Sequence, residues 1–93
     1  MSKKPSTETF KHAPNTAWRR IDDEAVVLDL RTSVYYSLND TAAFVWERVG
    51  EGLNAEQIAQ RLVEEFDPSP ESALRDVEEL LRDLRKNELI VPV

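Results

Sequence analysis

Ninety-three residues make one small domain, 41% of them hydrophobic, with 12 basic against 18 acidic side chains and a net charge of −6. The chain has no cysteine, one histidine (His12) and two glycines (Gly50 and Gly52), which excludes disulfides, thiolate metal sites, His-based triads and glycine-rich phosphate loops together. No apolar run reaches the roughly 20 residues of a membrane helix, and the basic start has no apolar stretch behind it as a secretory signal needs; the expectation is a cytoplasmic protein with no metal, no cofactor and no membrane partner.

Charge is unevenly spread. Residues 1–20 hold Lys3, Lys4, Lys11, Arg19 and Arg20 against one acid, Glu8, and the remainder is strongly acidic. The stretch 1–16 has no period, two prolines and little apolar content besides Phe10, so it reads as a disordered basic N-terminal arm, with the domain spanning 17–93. Trp18 and Ile21, among polar neighbours, suit a short strand. Asp22-Asp23-Glu24 is a turn signal without calcium-loop spacing. Ala25 to Leu30 (AVVLDL) and Val34 to Leu38 (VYYSL), joined by Arg31-Thr32-Ser33, make an antiparallel hairpin. Alternation sends Val34, Tyr36 and Leu38 to the core and Tyr35 and Ser37 outward.

Asn39 and Asp40 are N-cap residues, and Ala42, Val45, Trp46 and Val49 follow at helical spacing, with Ala43 and Phe44 widening the stripe. Gly50-Glu51-Gly52 ends this helix. Asn54 with Gln57 three residues later has the form of a capping box, followed by Ile58, Leu62 and Phe66 on one face. Asp67-Pro68-Ser69-Pro70 stops that helix. Ser69 then caps a third, with Pro70 at its first position and Leu74, Val77, Leu81 and Leu84 as its stripe. Leu89-Ile90-Val91 reads as a short extended tail. Strands first and helices last predict an α+β fold, a three-stranded antiparallel sheet followed by three helices, in a winged-helix-like arrangement.

That arrangement raises DNA binding, but the third helix sets Glu71, Asp76, Glu78, Glu79 and Asp83 against Arg75, Arg82, Arg85 and Lys86, a poor surface for phosphates. Pairs such as Glu78–Arg82 read as a solvated face. Glu64-Glu65 and Glu78-Glu79 are adjacent and splay apart, so no acid/base couple forms, and the chain does not read as an enzyme. A small sheet with an exposed edge beside a helix favours strand addition by an extended peptide, and Tyr35 points out from that edge.

The run AVVLDLRTSVYYSLNDTAAFVWERV, Ala25 to Val49, resembles the PqqD-like family, and Ile58, Leu62, Phe66, Asp76-Val77, Leu81, Leu84 and Leu89-Ile90 follow in the family's order. The resemblance covers residues 17–91. It implies a non-catalytic adaptor, a peptide chaperone or RiPP recognition element. Such a protein binds the leader of a ribosomally made precursor peptide by strand addition to its third strand, against its third helix. It presents the peptide to a modifying enzyme of radical-SAM type or to a leader peptidase. With the edge chemistry, it makes Val34, Tyr35, Tyr36 and Ser37 the peptide-binding strand and Leu74, Glu78, Leu81, Arg82 and Arg85 the peptide-binding helix face, the arginines facing acids of the leader. Members serving PQQ biosynthesis tend to have a Pro-Glu-Gly type hairpin where this chain has Arg31-Thr32-Ser33, and many relatives have a glycine where it has Asn87 or Glu88. A pathway to a lasso or thioether-bridged peptide suits these departures as well or better. The alternative reading is a winged-helix DNA-binding regulator.

Overall fold

In the computed structural model, which describes residues 8–93, the chain runs β1 (Phe10–His12), β2 (Thr16–Ile21), β3 (Glu24–Asp29), β4 (Val34–Leu38), α1 (Asp40–Gly50), α2 (Ala55–Phe66), α3 (Pro70–Lys86) and β5 (Ile90–Pro92). The fold is α+β, with an antiparallel sheet β2-β3-β4 followed by three helices, as the sequence predicts. A second sheet, β1-β5, joins the two ends of the described chain.

Two tight connections shape the larger sheet. The two-residue turn Asp22-Asp23 joins β2 to β3, and Asp22 takes φ 57°, a left-handed conformation that a short polar side chain tolerates. Between β3 and β4, Ser33 takes φ 61° and its N–H donates to the Asp29 carbonyl at 2.7 Å. Registers Ala25↔Leu38, Val27↔Tyr36 and Asp29↔Val34 put these residues on one face. Ala25, Val27 and Leu38 are buried there and Tyr36 packs against them. Val34, expected in the core, is 45% exposed, since it is the first residue of the outer strand, beside the turn, while its partner Asp29 on the central strand is covered.

Helix boundaries follow their caps. The Asn39 side chain accepts from the Ala42 N–H, Asn54 and Gln57 form the reciprocal capping box, and Ser69 accepts from Ser72 with Pro70 at the first position. Gly52, at φ 87°, provides the left-handed residue after α1. The buried stripes are Ala43, Val45, Trp46 and Val49 in α1, Ala55, Ile58, Ala59 and Leu62 in α2, and Ala73, Val77, Leu81 and Leu84 in α3. Phe66 departs from expectation: at the end of α2 it remains 39% exposed and stands edge-on to Phe44 at 5.5 Å.

The N-terminal arm is the main correction. Residues 1–7 of the expected disordered arm lie outside the described residues, but from residue 8 the chain is structured. β1 pairs antiparallel with β5 through Phe10↔Pro92, Lys11↔Val91 and His12↔Ile90, and Phe10 is buried in the core. The domain therefore begins before residue 17. His12 stacks on Trp46 with ring centroids 3.7 Å apart and planes 6° from parallel, and its Nε2 donates to the Trp46 carbonyl at 2.8 Å. Burial pushes the imidazole pKa down, and the hydrogen bond to Trp46 opposes this. Trp18 meets Trp46 edge-on at 6.2 Å. A side chain at Gly50 would put a Cβ 2.9 Å from His12 Cε1, so the helix needs glycine there to let the ring approach.

Trp46 is fully buried at this junction. Trp46→Ala should destabilise the domain by about 3–5 kcal/mol, read by denaturant unfolding. An unchanged midpoint would contradict this packing.

Candidate functional site

The backbone of β4 is the first part of the site. In an antiparallel sheet, alternate residues of the middle strand bond to opposite neighbours. The two-residue turn makes Ile21 and Glu24 the closing hydrogen-bonded pair of the β2–β3 hairpin, so Glu24, Val26 and Leu28 bond to β2. The Leu30 N–H donates to the Asn15 carbonyl at 2.8 Å and continues the same parity. Ala25, Val27 and Asp29 therefore bond to β4 through Leu38, Tyr36 and Val34. Tyr35 and Ser37 are left with N–H and C=O directed at the open edge. Their side chains lie on the sheet face away from the helices, with Tyr35 68% exposed.

An ionic cluster around one buried carboxylate sits at the start of this edge. Asp29, 1% exposed, sits on the inner face of β3. Its Oδ1 accepts from the Arg31 backbone N–H at 2.9 Å and from Asn15 Nδ2 at 3.0 Å, and its Oδ2 takes an Arg31 guanidinium nitrogen at 3.2 Å. The hydrogen bond from the Arg31 side chain, aided by the other two donors and opposed by burial, holds the carboxyl down at about 2. Arg31 also reaches Glu88 at 3.0 Å, just beyond α3. The turn into β4 is thus tied to the C-terminal end of α3. Sequence reading missed Asp29, Arg31, Glu88 and Asn15. The available signal was parity: Asp29 shares the inward face with Ala25 and Val27, where an acid needs partners, and Arg31 lies two residues on.

The expected site residues do not come together in one place. Val34, Tyr35, Tyr36 and Ser37 make the edge strand. Glu78, Leu81, Arg82 and Arg85 line a cavity of about 500 Å³ against Phe10 and Ala55, to which no residue of β4 contributes. Leu74 lines a separate cavity of about 520 Å³ with Ala59 and Val63 of α2. The arginine flank of α3 is turned to β1 and the start of α2. On the helical wheel, Asp76, Leu80 and Asp83 form the opposite flank. Glu78 and Arg82 do not form the ion pair their spacing allows; the ion pairs among the described residues use Arg20, Arg31 and Arg48.

Among the described residues, no group of three His, Asp or Glu side chains is placed to hold a metal ion, and no helix is long and apolar enough to cross a membrane. The geometry is that of a short sheet whose outer strands, β2 and β4, each have one unpaired edge, with the turn into β4 linked by an ion pair to the end of the third helix.

The family profile of coenzyme PQQ synthesis protein D (PqqD) matches residues 24–90, and the chain belongs to this family. Two solved structures share its fold. TbiB1 in complex with the TbiA(beta) leader peptide is 30% identical, over 86% of this chain and 93% of that one, with a TM-score of 0.81. Lasso peptide synthetase B1 complexed with the leader peptide is 32% identical, over 89% of this chain and 98% of that one, also with a TM-score of 0.81. Among curated proteins none matches.

Asp29 has a folded pKa near 2, below its ordinary value of 3.8. Its contribution to stability is present above the ordinary value and is lost as pH falls through the folded one. Asp29→Asn should therefore lower stability at neutral pH and flatten the acid-denaturation curve between about pH 4 and pH 2. An acid limb identical to the parent's would show that the cluster does not hold the charge.

Proposed function

We propose that this chain is a non-catalytic adaptor that binds the leader of a ribosomally made precursor peptide by strand addition to β4 and presents it to a modifying enzyme. The observation that carries the reading is the open edge at Tyr35 and Ser37, in a fold whose solved relatives are leader-peptide complexes. A leader strand would satisfy those backbone groups, so affinity comes from main-chain hydrogen bonds, which are indifferent to sequence. Selectivity comes from the wall beside the strand. The wall is the α3 flank of Asp76, Leu80 and Asp83, because the arginine flank faces β1 and α2. Leu80 offers it an apolar contact and the two acids favour basic leader residues.

The likeness to a lasso peptide synthetase B1 supports a lasso-type precursor over the PQQ precursor, in keeping with the Arg31-Thr32-Ser33 hairpin. The acting partner is then a leader peptidase or another enzyme of peptide modification, in the cytoplasm where such precursors are made. An adaptor needs no reactive group of its own, which fits a chain without cysteine and with its single histidine stacked half-buried on Trp46.

Tyr35→Pro and Ser37→Pro each remove one N–H from the open edge while sparing the bonds to β3. Titrated with the leader peptides of candidate lasso precursors, each variant should bind at least about tenfold more weakly than the parent, with a melting temperature close to the parent's. Tyr36→Pro, which removes a bond to β3, should instead lower the melting temperature. Full affinity in both edge variants would place the peptide elsewhere.

A further inference from the structure

Three cations at the end of α3, the exposed Arg82, Arg85 and Lys86, are left without an ion-pair partner among the described residues. All three line the cavity whose apolar floor is Phe10, Ala55 and Leu81. The Arg85 guanidinium stands 5.6 Å from the Phe10 ring centroid, which keeps its charge over that floor. Two acids, Glu8 and Glu78, also line the cavity, so three cations face two carboxylates. In a chain of net charge −6 this is a local positive excess. The helix dipole favours basic residues in a last turn, but it does not account for a cavity of about 500 Å³ beneath them.

We propose that this cavity docks an acidic segment of a protein partner. Carboxylates of the segment pair with Arg82, Arg85 and Lys86, and a neighbouring side chain fills the cavity above Phe10, Ala55 and Leu81. The cavity contains no residue of β4, and it opens on the flank of α3 opposite Asp76, Leu80 and Asp83. A strand paired to β4 along that opposite flank is separated from it by the width of the helix, roughly 10 Å with side chains. The two ligands therefore bind at once. That the partner is the enzyme acting on the precursor rests on the function proposed above; the docking of an acidic segment does not. Nucleic acid suits the site less well, since a phosphate backbone needs an extended positive face and here Glu8 and Glu78 interrupt it.

The test is a titration of the full ¹⁵N-labelled chain with a capped peptide, Glu-Asp-Leu-Glu-Glu-Asp, and with its counterpart in which every acid is lysine. The acidic peptide should shift the amides of Phe10, Ala55, Leu81 and Arg85 saturably and leave those of Tyr35 and Ser37 in place. The lysine peptide should do neither. The double variant Arg82→Glu, Arg85→Glu should weaken acidic-peptide binding at least about tenfold, and Arg82→Gln with Arg85→Gln by less. Both should keep the parent's melting temperature and its affinity for the leader. The proposal is overturned if the acidic peptide gives no saturable shift, if it moves the β4 amides, if the variants bind it as the parent does, or if they lose the leader. Displacement of the acidic peptide by a single-stranded oligonucleotide at lower concentration would overturn it in favour of nucleic acid. A leader that does not bind while the acidic peptide does defeats only the adaptor reading.

Discussion

The fold depends on burying one indole. Trp46 projects from the middle of α1 into the junction where β1, β2 and the helix meet, with the His12 ring flat against it and Trp18 edge-on. Aromatic pairs in these geometries add to the area they bury. The cost is that the imidazole is taken partly out of water, which is why its pKa falls. Gly50 is required by the same contact, since any Cβ there would meet the His12 ring. Without His12 over it, the indole would lose cover on one face, so the N-terminal strand is part of the core.

The second constraint is ionic and sits at the far end of β3. A carboxylate at a core-facing position is tolerated only with full hydrogen bonding. Asp29 obtains it from Arg31 and Asn15, and Arg31 extends the arrangement to Glu88. The consequence is positional: the turn that starts the edge strand is fastened to the end of α3.

The outer edge of β4 leaves the backbone groups of Tyr35 and Ser37 without a partner. Edge strands are hazards that proteins commonly blunt with charge, proline or a bulge. β4 carries none of these, and its outward residues are a tyrosine and a serine. The third helix separates two environments. One flank, with Asp76, Leu80 and Asp83, is acidic, and the other carries the arginines above a hydrophobic floor. A small domain can thus present two surfaces of opposite charge on either side of one helix.

Much of the fold was legible in local sequence. The caps at Asn39, Asn54 and Ser69, the proline at the start of α3 and the three apolar stripes are interactions within a few residues, and each element formed where these signals put it. The hairpin and its parity were equally local, so the outward directions of Tyr35 and Ser37 follow from the alternation of the strand alone. Whatever depended on distant partners could not be read this way. Phe10–His12 has no periodicity of its own and becomes a strand because Ile90–Pro92 pairs with it from the other end of the chain. Arg82 and Arg85 were expected to face the edge strand; the helical pattern marked which residues share a flank, but only the packing of α3 on α2 and β1 decided where that flank points. Periodicity specifies faces relative to one helix axis, and the direction of each face is set by long-range contacts that the local pattern does not contain.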